Sequence, residues 1–310
     1  MINVDAPKPR VSSLRTTRDH RRGWVISAFV EDSFIKRLNS RHYLLVIAII
    51  AVCGLAIGFA TAVGHSSRVA RIMSSRNNLR QVMLGIQNYA AAYDQLPPHA
   101  IVDHNGRPEH SWRTLITPSL AAVDQLYRWD EPWDGPSNIR LAHGLDVHID
   151  ASPVDDTGAP LIKTMGPYDG PIDYAWPFRD AETNNKSSFR VHFFAIVGNE
   201  TAWPDDHSIT SADIHDGAEN TIVIAESHSV DAYWSQPIDI RFEDMTFVVN
   251  DPVGPGISSP RKIGPLVAFA DGAVFHLNPN IPPGLVRDLL TANGGETIER
   301  SQLVRDGWLR

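Results

Sequence analysis

The sequence predicts an α+β fold in which one long helix precedes a domain built on an antiparallel β-sheet with long loops. Residues 43–63 contain no charged side chain, so the helix begins in an apolar segment. Apolar residues then recur at three- and four-residue spacing, which predicts one helix over residues 41–95 that Pro97 and Pro98 end. From Pro97 onward, short β-rich runs alternate with Pro, Gly, Asp and Asn clusters, which is typical of strands joined by long loops.

Composition and charge narrow the class of protein. The chain has 310 residues, of which 43% are hydrophobic, and this content is sufficient for a packed core. The net charge of −8 is unevenly distributed, because residues 1–42 contain nine Lys or Arg against four acidic residues. Clustered Lys and Arg are needed to bind phosphates, and here the only such cluster precedes the apolar segment. The charge pattern therefore argues against nucleic acid as a partner.

Residues 43–63 form a predicted transmembrane helix. At about 1.5 Å per residue, some 20 apolar residues cross the roughly 30 Å hydrocarbon layer of a bilayer. The preceding basic residues predict a single-pass protein of the cytoplasmic (inner) membrane, with the N-terminus inside and the C-terminal domain periplasmic or exterior. A cleaved signal peptide with a small-residue site at residues 60–62 is the alternative, but a 42-residue leader exceeds the usual length. The single cysteine, Cys53, lies in this segment, so an intrachain disulfide is excluded.

Four regions follow from these patterns. They are a basic cytoplasmic segment over residues 1–42, a transmembrane helix over 43–64, its amphipathic continuation over 65–96, and an extracytoplasmic sheet domain with loop insertions over 97–310. In the first region Ile26, Val30, Phe34 and Leu38 recur every four residues, which predicts a short amphipathic helix. This helix either lies on the membrane surface, docks a cytoplasmic partner or frays, and the sequence does not decide between these.

The sheet domain contains four predicted strand runs and one short predicted helix. The runs are residues 189–197, 221–226, 246–250 and 266–277, and the helix covers residues 285–291. The last run is predicted to be a hairpin, because Asp271 and Gly272 lie at its centre and this dipeptide suits the two positive φ angles of a type I′ turn.

Several segments match the motifs of one bacterial family in order and spacing. They are residues 76–81 (RNNLRQ), 111–113 (SWR), 130–134 (DEPWD), 214–222 (IHDGAENTI), 234–239 (WSQPID), 269–274 (FADGAV) and 294–296 (GGE). The chain resembles the pseudopilin-like family of unknown function whose members end in an H-x9-DG motif, often described as prepilin-type or secretion protein G-like. This resemblance implies a type IV pilin-like fold, with a long N-terminal transmembrane helix packed on an antiparallel sheet. It also implies a structural role, with protein partners in a secretion- or envelope-associated assembly.

Two positions depart from the family pattern. Arg37 and His42 stand where the family has the Gly and Glu of its prepilin cleavage motif, which implies an unprocessed, permanent anchor. Arg261 stands ten residues before Asp271, in the place of the motif histidine. If that histidine binds a metal or acts in catalysis in relatives, this chain has lost the function; if it makes a loop hydrogen bond, Arg261 can replace it.

The motif residues are expected to set loop and hairpin geometry rather than to act in catalysis. Those singled out are Asn77, Asn78, Asp216, Gly217, Asn220, Arg261, Asp271 and Gly272. No G-x-S-x-G, P-loop, Rossmann glycine pattern or Cys/His nucleophile pair is present in the sequence, so it predicts no catalytic residue and no enzyme.

Two groups of residues predict ligand binding instead. Asp205, Asp206, Asp213 and Asp216 offer hard oxygen ligands that suit Ca²⁺, although such residues also form ordinary polar turns. His207, His215 and His228 lie among these acids, but their spacing fits no zinc signature. Trp129 and Trp133 flank a polar loop and either form a contact surface or pin the loop to the sheet. The alternative function is therefore a membrane-tethered extracytoplasmic module that binds a carbohydrate, a peptide or calcium.

Overall fold

The computed structural model describes residues 40–120, 127–143, 176–181 and 189–310. Nearly all of the predicted cytoplasmic segment, including the amphipathic helix over residues 26–38, lies outside these ranges. The chain divides into two compact units, Met1–Gly64 and His65–Arg310. Each unit is described by itself below.

Helix α1 runs from Ser40 to Tyr93, close to the predicted limits. Its sequence contains no proline, so no residue removes a helical hydrogen bond along its length. The helix ends where Asp94 adopts a left-handed backbone with a φ angle of 57°, just before Pro97 and Pro98. The prediction of one long helix is confirmed over this range.

The part of α1 in the first unit carries exposed apolar side chains. Those described include Leu45, Ile49, Ile50, Val52, Leu55 and Phe59. Among the residues that the structure describes fully, no helix combines the length and the apolarity that a membrane crossing requires. Several side chains of the predicted span, at residues 43, 44, 57 and 60–63, lie outside the description. The transmembrane helix over residues 43–64 therefore stays a prediction.

Among the described residues of the second unit, seven strands form two sheets. They are β1 (Ala100–Val102), β2 (Pro108–Ser111), β3 (Phe193–Val197), β4 (Ile222–Glu226), β5 (Ile240–Arg241), β6 (Leu266–Phe269) and β7 (Val274–His276). Strands β1 and β2 form an antiparallel pair, and the other five follow the order β5-β3-β4-β6-β7. Strand β5 pairs in parallel with β3, so this sheet is mixed rather than purely antiparallel. The predicted runs over residues 221–226 and 266–277 are confirmed as β4 and the β6–β7 hairpin, and the run over residues 189–197 is confirmed in its second half as β3.

Both edges of the five-stranded sheet are short or covered. At one edge β5 contains only two residues. At the other edge, Leu277 forms a bridge with Leu309, and His276 and Arg310 exchange backbone hydrogen bonds of 2.8 and 3.0 Å. The residues that end the chain therefore lie alongside the end of β7.

The remaining helical elements are short. They are α2 (Trp112–Leu120), α3 (Asn138–Ala142), α4 (Pro283–Asp288) and α5 (Arg300–Arg305), with 3-10 turns at Trp176–Phe178, Ser211–Asp213 and Phe242–Asp244. The helix predicted over residues 285–291 is α4, displaced toward the N-terminus. Pro283 lies in its first turn, where proline removes no helical hydrogen bond and has a suitable φ angle.

Two local predictions are wrong. Residues 246–250 form a loop instead of a strand, because Phe247 and Asn250 both have a φ angle of 61°, which an extended strand does not allow. The turn of the β6–β7 hairpin is not type I′, because only Gly272 has a positive φ angle, of 90°, and Asp271 does not. The Gly272 amide donates to the Phe269 carbonyl at 2.8 Å, which gives a three-residue loop with glycine in the left-handed position.

The core of the second unit joins the C-terminal half of α1 to the sheet. Leu79, Val82, Met83 and Ile86 are fully buried and belong to one apolar cluster with the strand residues. Every residue of β3, β4 and β6 is buried, so these strands are covered on both faces. Burial of the α1 stripe is therefore expected to be a major source of stability.

A matched pair of leucine substitutions on α1 tests this packing. Leu79→Ala removes a fully buried side chain and is expected to lower the free energy of unfolding by about 2–5 kcal/mol. Leu84→Ala is the control, because Leu84 is 54% exposed, and a change below about 1 kcal/mol is expected. Urea unfolding of the purified chain, followed by tryptophan fluorescence, measures both values. Equal losses for the two variants would contradict the observed burial.

Candidate functional site

The strongest candidate site is a group of four charged residues inside the second unit, which we call the buried ion cluster: Asp180, Glu226, His228 and Arg261. Asp180 follows the 3-10 turn at Trp176–Phe178, and Glu226 is the last residue of β4. His228 lies just beyond β4, and Arg261 lies in the loop that leads to β6. The side chains of Asp180 and Glu226 are completely buried, and that of His228 is 21% exposed. The cluster thus brings together segments that are distant in the sequence.

Arg261 bridges the two carboxylates of the cluster. Its Nη1 lies 2.6 Å from Asp180 Oδ1, and its Nη2 forms an ion pair with Glu226 Oε2. The backbone amide of Leu266 also donates to Glu226 Oε2 at 2.8 Å. From α1, the hydroxyl of Ser75 donates to Asp180 Oδ1 at 2.5 Å. One oxygen of each carboxylate is therefore fixed by hydrogen bonds from several elements.

His228 contacts the other oxygen of each carboxylate. Its Nε2 lies 3.0 Å from Glu226 Oε1 and 3.6 Å from Asp180 Oδ2. Burial alone lowers the pKa of His228, but its interactions with Asp180 and Glu226 outweigh this effect and raise the pKa to about 9. Burial opposes ionisation of Asp180, yet His228, Arg261 and Ser75 hold its pKa well below the usual range. At neutral pH His228 is therefore a cation and Asp180 a carboxylate anion.

Two further histidines next to the cluster stay neutral. Burial, together with the charge of His228, lowers the pKa of His192 to about 4, and the two rings lie 4.5 Å apart. Burial also lowers the pKa of His276 to about 4, although its Nδ1 contacts the Gly264 carbonyl at 3.0 Å. These rings limit the positive charge around Arg261.

A second buried ion pair connects two of the sequence motifs. Arg113, in the SWR segment, places its Nη2 2.7 Å from Asp239 Oδ1, and neither side chain is appreciably exposed. The indole Nε1 of Trp112 donates to both oxygens of Asp239 at 3.2 and 3.1 Å, and the Ala195 amide donates at 2.9 Å. The Arg113 Nη2 also donates to the Phe193 carbonyl at 3.1 Å. Burial raises the pKa of Asp239 and lowers that of Arg113, while their mutual attraction opposes both shifts.

Asp216 joins two motif segments through backbone contacts. Its carboxylate accepts hydrogen bonds from the amides of Gly294 and Gly295 at 2.7 and 2.9 Å. These bonds link the segment at residues 214–222 to the GGE segment at residues 294–296. Asn220 continues this link, because its Oδ1 accepts from the Arg300 amide at 3.1 Å and its Nδ2 donates to the Asp216 carbonyl at 3.1 Å. These contacts set loop geometry.

The remaining motif residues also contact backbone or turns. Gly217 has a φ angle of 95°, a conformation that glycine adopts without strain. The Asp271 carboxylate pairs with Arg300 at 2.7 Å, and its carbonyl accepts from Gln87 of α1 at 3.1 Å. The Asn78 Nδ2 donates to the Arg179 carbonyl at 3.0 Å. Asn77 is exposed and contacts Arg80 of the same helix at 3.4 Å, while Gly272 supplies the left-handed turn residue.

The structure does not bring the four predicted calcium ligands together. Asp205 pairs with Arg241, Asp206 with His207 at 2.6 Å, and Asp213 caps the turn that begins after Thr210. The Asp216 carboxylate accepts from the Gly294 and Gly295 amides. Among the described residues, the acidic and histidine side chains whose ligand atoms converge within 4.8 Å are instead Asp180, Glu226 and His228.

The predicted contact residues Trp129 and Trp133 lie at the surface in part. Trp129 is 42% exposed, and its ring packs against His110 and Tyr127 with centroid distances of 5.2 and 5.1 Å. Trp133 is half-buried, and its amide donates to the Glu109 carbonyl at 2.9 Å. The side-chain Nδ2 of Asn138 contacts the carbonyls of Arg128, Glu131 and Pro132 at 2.7–3.1 Å and so fixes the intervening loop. The loop is therefore pinned, while one tryptophan keeps an open face.

Comparison with known families identifies the class of protein. Residues 66–246 match the SBP_bac_10 family, which is described as a protein of unknown function (DUF1559). The match covers more than half of the chain, and the chain belongs to this family. The matched range includes the SWR, DEPWD and IHDGAENTI segments. It ends before Arg261 and the β6–β7 hairpin. No curated protein and no solved structure matches the chain.

The sequence indicated only part of the buried ion cluster. Arg261 was marked by its place in the H-x9-DG motif, but Asp180 belongs to no quoted motif and Glu226 lies just beyond the segment at residues 214–222. His228 was considered together with His207 and His215, whereas its contacts are with Asp180 and Glu226. The one available signal was the alternation of Glu226 and His228 on the same side of an extended chain.

Loss of one partner from the SWR ion pair is expected to destabilise the fold strongly. Arg113→Ala leaves the Asp239 carboxylate buried without its cation, which costs about 3–5 kcal/mol of unfolding free energy. Arg287→Ala is the control, because Arg287 and Glu200 are 51% and 59% exposed, and a loss below about 1 kcal/mol is expected. Urea unfolding compares the two variants, and a small loss for Arg113→Ala would refute a structural role for the pair.

His276 is expected to make stability depend on acidity. Its pKa is about 4 in the folded chain and about 6.5 when unfolded, so only the unfolded state takes up a proton in between. The contribution of His276 to the free energy of unfolding is therefore fully present above pH 6.5. It is lost as the pH drops toward 4, by at most about 3 kcal/mol. His276→Asn should flatten the pH profile of unfolding free energy, whereas His104→Asn, at an exposed position, should leave it unchanged. Parallel profiles for wild type and His276→Asn would disprove this assignment.

Proposed function

We propose that this chain is a membrane-anchored, pseudopilin-like structural protein, and not an enzyme, that acts in a secretion- or envelope-associated assembly. The first half of α1 is the anchor, and the second half is the support of the exterior domain. The family description names no activity, and the helix, the sheet and the buried polar residues support the proposal.

The continuity of α1 carries the proposal. In the first unit the described apolar residues around the helix are exposed, with Leu45, Ile50 and Leu55 among them. A helix that is apolar on all sides is stable only in a core or in lipid. In the second unit the same helix buries a single stripe in the core, with Leu79 and Ile86 fully covered. A lipid-embedded half followed by a packed half fits a pilin-like anchor.

The use of the polar residues supports a structural role. Asp180, Glu226, Arg113 and Asp239 are buried in ion pairs and hydrogen bonds that join separate segments of the chain. Asp216 is engaged with backbone amides of a neighbouring loop. Each of these residues satisfies a packing or turn requirement, which is the pattern expected of a scaffold.

Membrane fractionation of the full chain tests the anchor. The wild-type protein is expected to sediment with membranes and to resist extraction by alkaline carbonate. Ile50→Arg combined with Leu55→Arg places two charges in the span, at about 2.5–3.5 kcal/mol each, and should release the protein into the soluble fraction. The matched control is Val69→Arg with Leu84→Arg, which changes exposed apolar residues of the same helix outside the span.

The same preparation tests whether the anchor is permanent. Arg37 and His42 replace the residues of the prepilin cleavage motif, so the intact mass is expected to correspond to a chain that begins at or near Met1. A start near Leu38 would show prepilin-type cleavage, and a start near Val63 would show a released protein. Wild-type protein that is wholly soluble would reject the proposed function.

A further inference from the structure

Three side chains of the buried ion cluster have the arrangement of a metal-binding set. Asp180, Glu226 and His228 each offer one ligand atom, and these atoms lie within 4.8 Å of one another. A carboxylate oxygen or an imidazole nitrogen binds zinc at about 2.0–2.2 Å, so two ligands of a tetrahedral site lie about 3.3 Å apart. His228 Nε2 lies 3.0 Å from Glu226 Oε1 and 3.6 Å from Asp180 Oδ2, which brackets that spacing.

The outer oxygens of the two carboxylates are already held in place. Arg261 and Ser75 contact Asp180 Oδ1, while Arg261 and the Leu266 amide contact Glu226 Oε2. Hydrogen bonds of this kind orient metal-binding carboxylates and are a regular part of metal sites. The oxygens that face His228 are the opposite ones, Oδ2 and Oε1. The inner oxygens are therefore directed toward a common point by contacts made behind them.

His228 Nε2 faces both inner oxygens, so a cation at that point would have three ligand atoms around it. The side chain of His228 is 21% exposed, which gives solvent a route to this side of the cluster. A divalent ion there would be bound by these three side chains, with water in the fourth position.

We propose that Asp180, Glu226 and His228 are the ligands of a divalent transition-metal ion of the zinc class, with Arg261 and Ser75 as positioning residues behind the carboxylates. An imidazole with two carboxylates suits Zn²⁺ and its neighbours better than Ca²⁺, which prefers six to eight oxygen ligands. The site is distinct from the calcium set predicted at Asp205 and its neighbours. It does not depend on the membrane proposal, because all of its residues lie in the second unit.

Metal binding to the purified full chain in detergent tests the site. After treatment with a chelator, the wild-type protein at pH 8 is expected to take up one equivalent of Zn²⁺ that His228→Gln does not take up. The melting temperature of the wild type should rise with Zn²⁺ and return on addition of chelator, because an ion that binds only the folded state stabilises it. His207→Gln is the matched control, since His207 also lies beside a carboxylate, at 2.6 Å, but at the surface.

Cobalt provides a readout that needs no variant. Co²⁺ bound by one nitrogen and two carboxylates in a site of low coordination is expected to give an intense visible absorption band, which Zn²⁺ then removes. Equal zinc uptake by wild type and His228→Gln, or neither a band nor a shift in melting temperature for the wild type, would overturn the proposal. A loss of uptake in His207→Gln as large as that in His228→Gln would do the same.

Discussion

The ion pairs of Arg261 with Asp180 and Glu226 are the interaction on which the packing of the second unit depends. Two ionised carboxylates inside a core are unfavourable by several kcal/mol each unless cations and hydrogen-bond donors face them. Here the donors come from α1, from the loop before β6 and from the residues after β4. Those segments therefore meet at one point, where their donors face the two carboxylates.

The buried carboxylate of Asp239 is likewise faced by a cation, Arg113, and by further hydrogen-bond donors. Arg113 and Asp239 come from motifs that are far apart in the sequence, so these two motifs are halves of one shared contact. Buried ion pairs often add little net stability compared with apolar residues of similar size. We infer that their contribution is specificity, since an apolar replacement would tolerate alternative pairings of these segments and a buried charge does not.

Elements with a strong local signal could be predicted from the sequence, and elements set by distant contacts could not. Apolar spacing and two prolines defined α1 closely, and β-rich runs located β3, β4 and the hairpin. Strand β5 has two residues and pairs with a strand far away in the sequence, so no local pattern reveals it. The run at residues 246–250 is apolar because Val249 is buried within a loop, which periodicity cannot distinguish from a strand. Asp180 meets Arg261 across 81 residues, so only the fold brings them together.

The two edges of the five-stranded sheet limit how copies of this chain can associate. An open edge strand offers unpaired amides and carbonyls to a neighbouring molecule, which adds its own strand. In this chain β5 is too short to support such an extension, and the backbone at the end of β7 is already bonded to Arg310. Growth by continuous β-sheet is therefore disfavoured at both edges. A filament of this protein is therefore expected to use the helix and loops rather than a continuation of the five-stranded sheet.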